Sequence, residues 1–357
     1  MTSRPRAPLT DQTVTDPPPE PSAPSPRGPA VWRPDVLLPG FECLDLPLDA
    51  APEVGEPDEP LVGTLIRRAD PGLRVGRPAW LYVHGWNDYF FQEHLARAVE
   101  EWGYAFHAVD LRRYGRSHRE GQLWGYVDDL ADYAAELDAA AEVIGGDHDR
   151  IVAMGHSTGG LTLCLWASER PGLLAGLALN SPWLEMHGPP ALAAVARPLL
   201  QQFSRRRGTA AFPIRDDDER IYAKATHTDH GGEWTYDLEL KSDGPRPLRV
   251  GWMRGILAGH ARVAKGLAID CPIFVATSDK TVWLRRFADS AREADTVLDV
   301  ARIGEAATRL GRHLTLVRIR GGIHDLTLSG PAAREEFFAE LERWSRAYVT
   351  HDLGQGT

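Results

Sequence analysis

The chain has 357 residues, 43% of them hydrophobic, so it is long enough for one large core or for a core domain with an inserted subdomain. Its 50 acidic and 40 basic residues give a formal net charge of −10. This balance disfavours nucleic acid as a partner, because phosphate binding needs a clustered positive field.

Three cysteines, Cys43, Cys164 and Cys271, lie far apart in apolar contexts and are interpreted as buried free thiols. No apolar run approaches the length of a membrane span, and the N-terminus lacks the apolar centre of a secretory signal. We therefore expect no integral membrane segment and a cytoplasmic location.

Proline dominates the first 39 residues, which hold eleven of the 27 prolines and few large apolar groups. Such a segment cannot bury enough surface to order itself. Residues 1–39 are therefore interpreted as a disordered arm.

From about residue 41, short apolar runs alternate with amphipathic stretches. FECLDLPLD (41–49) and LVGTLIRRA (61–69) alternate apolar and polar residues, as half-buried antiparallel strands do. More continuously apolar runs, typical of strands covered on both faces, lie at 79–85, 104–111, 150–156, 174–180, 271–277 and 313–319. Helical patterns lie at 91–103, 127–145, 161–170, 300–311 and 332–349. The alternation predicts an α/β fold, with a mostly parallel central sheet and helices on both faces.

One interval, residues 183–267, breaks this alternation because it is too long for a single crossover helix. It is predicted to be an inserted cap, with helical pieces near 191–204 and 247–267. The α/β core would then comprise residues 40–182 and 268–350.

The sequence Gly155-His156-Ser157-Thr158-Gly159 fits the G-x-S-x-G pattern between a predicted strand and a predicted helix. A strand, a sharp turn and a helix are what a nucleophile elbow requires, and the glycines permit close backbone approach. At the start of the helix, free N–H groups favour a developing oxyanion. Ser157 is therefore the candidate nucleophile.

Two further segments have the positions expected around such an elbow. HGWND (84–88) follows the strand AWLYV, where the backbone N–H of Trp86 would pair with that of Thr158 as an oxyanion hole. His324 lies in RGGIHDLTLS, just past the last predicted strand, and is the candidate base. His84 precedes the serine in the chain and is interpreted as a structural residue.

With these residues in place, the chain resembles the α/β-hydrolase superfamily, in particular its monoacylglycerol lipase-like, lysophospholipase-like and serine aminopeptidase-like branch. The similar pieces are HGWNDYFFQEHLA, GYAFHAVDLRRYGRS (103–117), MGHSTGG and GGIHDL. The resemblance implies two-step acyl transfer. Ser157 attacks a carbonyl, His324 shuttles the proton, and no metal or organic cofactor is required.

The acid of this triad has two candidates. Asp279 stands at the end of the strand after the cap, but it precedes His324 by 45 residues, more than one helix and one strand need. Asp295 precedes His324 by 29 residues, which a helix, a strand and two short loops fill. The segment DTVLDV is also similar to the family's Asp-x-Val-Val-Asp segment. Asp295 is preferred and Asp279 is kept as the alternative, while Asp299 is predicted to cap the next helix.

These features predict a serine hydrolase that cleaves a carboxylic ester of a small-molecule acyl substrate, such as an acylglycerol or a lysophospholipid. An aminopeptidase or a thioesterase with the same triad stays open, and so does a catalytically silent binding protein of the same fold. Cap tryptophans such as Trp183, Trp234 and Trp252 could line an acyl pocket or pack the cap. His227, Asp229 and His230 lack further ligands at a supporting spacing, so no metal site is predicted.

Overall fold

One mixed sheet organises the molecule. The computed structural model describes residues 31–186, 207–211, 217–244 and 246–349, and nine strands in these ranges form a sheet in the order β1-β2-β3-β5-β4-β6-β7-β8-β9. The strands are β1 Arg33–Pro34, β2 Phe41–Pro47, β3 Val62–Arg68, β4 Ala79–Val83, β5 Ala105–Asp110, β6 Ile151–His156, β7 Gly176–Asn180, β8 Ile273–Ser278 and β9 Leu314–Ile319. Pairing is antiparallel from β1 through β3 to β5 and parallel for the rest of the sheet.

Helices cover both faces of this sheet. They are α1 Glu93–Glu101, α2 Ala134–Gly145, α3 Thr158–Ser168, α4 Asp217–Thr226, α5 Val250–Lys265, α6 Val300–Ala307 and α7 Pro331–Tyr348. Because side chains alternate along a strand, Leu81 of β4 joins the core under α2, α3, α5 and α6, whereas Trp80 joins the core under α1 and α7. The predicted α/β fold is confirmed.

Two predicted elements differ in detail. The strand β9 was expected to be covered on both faces, but Leu316 is 38% exposed, because β9 is the last strand of the sheet and the adjacent α6 has only eight residues. The helix predicted over 127–145 begins as a 3-10 turn at Leu130–Tyr133, where the Asp129 carboxylate accepts from Ala131 N, and α2 follows.

The sheet begins earlier than the predicted core boundary at residue 40. Residues 1–30 of the predicted arm lie outside the described residues. Arg33–Pro34, however, pairs with β2, and Asp35 is buried against Arg116. The proline content of residues 1–39 does not reveal this ion pair, because Arg116 lies 81 residues after Asp35 in the chain.

The segment between β7 and β8 contributes α4 and α5 in its described residues. The helix predicted near 247–267 is α5, Val250–Lys265, whereas the piece predicted near 191–204 lies outside the described residues. Ile256 of α5 is fully buried and belongs to the core cluster on the α3 face of the sheet. The treatment of 183–267 as a separate cap stays a prediction.

Buried arginines fix the loop after β5. Arg112 Nε lies 2.9 Å from Glu136 Oε1 of α2, Arg113 Nε lies 2.8 Å from Glu56 Oε1, and Arg116 contacts Asp110 as well as Asp35. The loop is thereby tied to three separated parts of the chain. Arginine suits this role, because its planar guanidinium can donate several hydrogen bonds at once.

We predict that Glu136→Gln lowers the free energy of unfolding by about 3 kcal/mol, because it leaves the buried Arg112 charge uncompensated. Chemical denaturation of both proteins measures the difference. The control is Glu342→Gln, which breaks the exposed Glu342–Arg346 pair on α7 and should change stability by no more than about 0.5 kcal/mol. Equal losses in the two variants would contradict the prediction.

Candidate active site

Ser157 occupies the turn between β6 and α3. Its backbone has φ 51° and ψ −116°, an unfavourable region for a residue with a side chain. The helix α3 starts at Thr158, three residues before the predicted start, so the serine directly precedes the first turn of the helix. The N–H of Thr158 therefore has no acceptor within the helix.

Close backbone contacts hold this turn. A Cβ added to Gly159 would lie 2.2 Å from the carbonyl oxygen of His84, and one added to Gly155 would lie 2.7 Å from the carbonyl oxygen of Gly159. A Cβ on Gly85 would lie 3.2 Å from Cβ of Ser157. The loop that carries Trp86 thus passes directly beside Ser157.

His324 lies in the loop after β9 and is hydrogen-bonded to Asp295. The distance between His324 Nδ1 and Asp295 Oδ2 is 2.9 Å, and both side chains are buried. The other oxygen, Asp295 Oδ1, accepts from the N–H groups of Val297 and Leu298 at 2.8 Å each. These bonds fix the carboxylate against rotation.

Asp279 does not make this contact. It is exposed at the end of β8, and its Oδ1 accepts from Gly321 N at 3.2 Å, so it braces the loop that leads to His324. Of the two candidate acids, the structure brings only Asp295 to the imidazole. Asp299 caps α6 as predicted, accepting from Ala301 N and Arg302 N.

The fifteen residues between Asp279 and Asp295 form a closed excursion. Thr281 bridges to Asp295, Val282 N donates to Asp295 O at 2.9 Å, and Asp295 N donates to Lys280 O at 3.1 Å. Ala291 of the excursion packs in a small cluster with Ile221 of α4. The chain therefore leaves the end of β8, supports the inserted segment and returns to the same place.

His84 is held by backbone groups at both ring nitrogens. Its Nδ1 lies 2.7 Å from Gly85 O, and its Nε2 accepts from Leu111 N at 3.0 Å. This pair of contacts requires the proton on Nδ1. His84 thus holds the loop in place, in agreement with its structural interpretation.

A second polar cluster lies behind these residues. One ligand atom each from Asp88, His156 and Asp325 lies within 4.8 Å of the others, and this is the group among the described residues that could hold a metal. Lys241 Nζ, however, lies 2.8 Å from Asp88 Oδ1, so the chain supplies its own cation here. Lys241 belongs to the inserted segment.

The charges of this cluster follow from burial and hydrogen bonding. Burial opposes ionisation of Asp325, but His156, Lys241 and hydrogen bonds from Thr327 and Asn180 outweigh it and lower the pKa of Asp325 to about 2. Burial lowers the pKa of His156 to about 4, although Asp325 opposes this shift. At neutral pH, His156 is therefore uncharged beside an ionised Asp325.

Sequence reasoning missed this cluster. Asp88 and Asp325 stand inside the quoted motifs HGWND and GGIHDL, and His156 inside the elbow, but their neighbours Ser157 and His324 drew the functional interpretation. No local pattern marks Lys241, because its partner Asp88 is 153 residues away.

Three tryptophans pack together near the turn of Ser157. Trp86 and Trp252 have ring centroids 4.2 Å apart, and Trp183 lies 6.1 Å from Trp252. Trp183 N donates to Ser157 O at 3.0 Å, which places this shell against the turn. Trp234 lies elsewhere, donating from Nε1 to Leu328 O at 2.7 Å.

A protein-family model described as "Serine aminopeptidase, S33" matches residues 77–328, well over half of the chain. The chain belongs to this family. The resemblance to the α/β-hydrolase superfamily inferred from the sequence is confirmed. No curated protein sequence matches this family member.

Solved structures share its fold at low identity. The monoacylglycerol lipase of Paleococcus ferrophilus is 17% identical, with a TM-score of 0.57 over 77% of this chain and 97% of that one. A soluble variant of the monoglyceride lipase of Saccharomyces cerevisiae, in complex with a substrate analogue, is 13% identical, with a TM-score of 0.56 over 89% and 96%. A thermophilic esterase of Thermogutta terrifontis is 19% identical, with a TM-score of 0.52 over 86% and 99%.

No helix in the described part of this family member combines the length and the hydropathy that a membrane crossing requires.

His260 of α5 supports the tryptophan shell as a neutral donor. Its Nε2 lies 2.9 Å from the carbonyl oxygen of Trp183, and burial lowers its pKa to about 4. A histidine with a lowered pKa binds its proton more readily in the unfolded chain. Its contribution to stability is therefore complete above about pH 6.5 and is lost as the pH falls towards 4.

We predict that His260→Gln, which keeps an N–H donor but cannot charge, flattens the loss of stability between pH 6.5 and 4. The difference in slope should be about 1 kcal/mol per pH unit. Denaturant titrations of both proteins at several pH values measure it, and above pH 7 the two curves should run parallel. Identical slopes down to pH 4 would contradict the prediction.

Proposed function

We propose that the chain is a serine hydrolase that cleaves a carboxylic ester of an apolar acyl group by an acyl-enzyme mechanism. The observation that carries the proposal is the Asp295–His324 hydrogen bond, in a family member whose Ser157 stands in a strained elbow. The solved structures of similar fold whose names include lipase or esterase favour an ester over other acyl substrates.

In the proposed reaction, Ser157 Oγ attacks the ester carbonyl and His324 Nε2 takes the hydroxyl proton. Asp295 accepts from His324 Nδ1, and this bond leaves the lone pair of the ring on Nε2 and favours the imidazolium that forms. His324 then returns the proton to the leaving alcohol. Water repeats the sequence and releases the acid.

The negative charge of the tetrahedral intermediate would be held by the backbone N–H groups of Trp86 and Thr158. Two features support this assignment. Thr158 is the first residue of α3, whose first N–H groups have no acceptor within the helix, and the Trp86 loop lies so close to Ser157 that a Cβ added to Gly85 would lie 3.2 Å from Cβ of Ser157. Both proposed donors belong to backbone that is tightly packed around the elbow.

The tryptophan shell of Trp86, Trp183 and Trp252 is the reason for proposing an apolar acyl group in the substrate. Trp252 is buried in the core, and the partly buried Trp86 and Trp183 that pack against it leave apolar surface beside the elbow, where an acyl chain could displace water. The shell favours an acyl group over a charged one as the part of the substrate that lies next to Ser157. The proposed partner is thus a small-molecule acyl ester.

We predict that Asp295→Asn lowers kcat by roughly 10³–10⁴-fold, because the imidazole loses the acceptor that sets its tautomer. The matched control is Asp279→Asn, which removes only a contact to Gly321 and should retain most of the activity. Steady-state hydrolysis of a nitrophenyl ester by both variants measures the two effects. If the Asp279 variant lost more activity than the Asp295 variant, the acid would have to be reassigned.

We also predict that a fluorophosphonate probe labels the folded protein at Ser157 and leaves Ser157→Ala unlabelled, because only an activated serine displaces the fluoride. Mass spectrometry of the labelled peptide identifies the residue. Absence of labelling would favour a silent binding protein.

A panel of substrates then distinguishes an esterase from a thioesterase and an aminopeptidase. Nitrophenyl esters of graded chain length, acyl thioesters and aminoacyl amides are assayed in parallel, and the proposal expects the highest kcat/KM for an ester with an acyl chain. A preference for aminoacyl amides would instead favour the aminopeptidase activity for which the family is named.

A further inference from the structure

Lys241 places a buried ammonium group inside the protein. Its side chain is 7% exposed and that of its partner Asp88 is 1% exposed. Burial opposes a charge on Lys241, but Asp88, Tyr236 and Asp325 together outweigh that effect, so the pKa of the ammonium is raised above its usual value. A lysine that stays charged without water needs a site built around its ammonium.

Aromatic rings form the rest of that site. The Lys241 ammonium lies 5.2 Å from the ring centre of Phe91 and 5.5 Å from each of those of Tyr222 and Tyr236. Ring faces within about 6 Å attract a Lys ammonium, and groups of such rings are the arrangement by which proteins bind quaternary ammonium ligands. The group named here the ammonium cage consists of Asp88, Phe91, Tyr222 and Tyr236.

The carboxylate has acceptor capacity to spare. Asp88 Oδ1 accepts from Lys241 Nζ at 2.8 Å and from Tyr89 N at 3.0 Å, whereas Asp88 Oδ2 is buried and meets no hydrogen-bond donor among the described residues. The charge of Asp325 also contributes to the raised pKa of the ammonium. The cage could thus satisfy a primary ammonium that is not attached to the chain.

The cage also connects the inserted segment to the candidate active site. Ser242 N donates to Asn87 Oδ1 at 3.1 Å, and Asn87 Nδ2 donates to Ser242 O at 2.9 Å, so the backbone next to Lys241 is tied to the loop of Trp86. Tyr222 neighbours both groups, with its ring centre 5.5 Å from the Lys241 ammonium and 5.9 Å from the ring centre of His324. The Tyr222 ring is thus a shared neighbour of the ammonium and of the proposed base.

We propose that the ammonium cage is a binding site for a primary alkylammonium group, which Lys241 fills from within the chain, and that shortening Lys241 opens it to a free n-alkylammonium ion. Lys241→Ala removes three carbons and the nitrogen, which is the composition of n-propylammonium. Occupancy of the cage holds the inserted segment on the Trp86 loop and Tyr222 against His324.

The test measures thermal unfolding of Lys241→Ala in n-propylammonium chloride, in KCl of the same ionic strength and in n-propanol, a neutral molecule of the same length. We expect Lys241→Ala to lose about 5–10 °C in Tm. n-Propylammonium should recover most of that loss with saturable dependence, whereas KCl and n-propanol should not. Wild type and Lys224→Ala, which shortens an exposed lysine of α4, should not respond to the amine.

The opposite results would overturn the proposal. These are an unchanged Tm of Lys241→Ala, equal recovery by n-propanol, or an equal response of the wild type. If Lys241→Ala does not fold in buffer, refolding yield in each solution replaces the melting experiment, and a yield that is no higher in n-propylammonium than in KCl or n-propanol overturns the cage. Lys241→Met supplies the second variant, since its thioether fills the space without charge, so the amine should not stabilise it.

A further readout rests on the proposed function. n-Propylammonium should also restore the ester-hydrolysis kcat of Lys241→Ala, through the position of Tyr222. The two proposals fail separately. A recovered Tm in a protein whose wild type hydrolyses no ester would overturn the proposed function alone, whereas an active wild type with no amine rescue of Lys241→Ala would overturn the cage alone.

Discussion

The left-handed backbone of Ser157 is the constraint around which the centre of the molecule is built. A residue with a side chain in such a conformation is disfavoured by about 1–3 kcal/mol, so the surrounding contacts must hold it. Gly155 and Gly159 let β6, α3 and the Trp86 loop approach one another more closely than any side chain would permit. The same contacts bring Thr158, the first residue of α3, and the loop of Trp86 beside Ser157, so the strain and the proposed oxyanion hole have a single structural cause.

The other part of the candidate site, Asp295 and His324, follows the last two strands of the sheet, β8 and β9, and is positioned in a different way. Asp295 is placed by two backbone donors and by the bridge to Thr281, at the base of an excursion that begins and ends beside β8. An insertion between strand and acid would ordinarily displace the acid. Here the bridge between Thr281 and Asp295 closes the excursion, so Asp295 stays near the end of β8. The excursion itself packs against α4 through Ala291.

Sequence patterns predicted the elements and motifs that depend on neighbouring residues, but missed the ion pairs between residues that are distant in the chain. The elbow, the strands and the position of His324 follow from short patterns, and the interval of 29 residues to Asp295 follows from counting one helix and one strand. The exposure of Leu316 depends on sheet order and on the length of α6, neither of which alternation of apolar residues encodes. The pairs of Asp35 with Arg116 and of Asp88 with Lys241 join residues 81 and 153 positions apart, so each partner alone looks like an ordinary surface charge.

The buried cluster behind His324 gives these distant pairs a chemical consequence. The carboxylates of Asp88 and Asp325 and the ammonium of Lys241 together leave one negative charge close to His324. His156, whose ring centre lies 4.9 Å from that of His324, is uncharged at neutral pH because burial lowers its pKa to about 4. An imidazolium that forms at His324 during the proposed reaction would therefore meet a neutral neighbour and a net negative field. A positive charge at His156 would repel that imidazolium, so the burial that keeps His156 neutral favours proton transfer to His324 in the proposed reaction, in the same direction as the contact to Asp295.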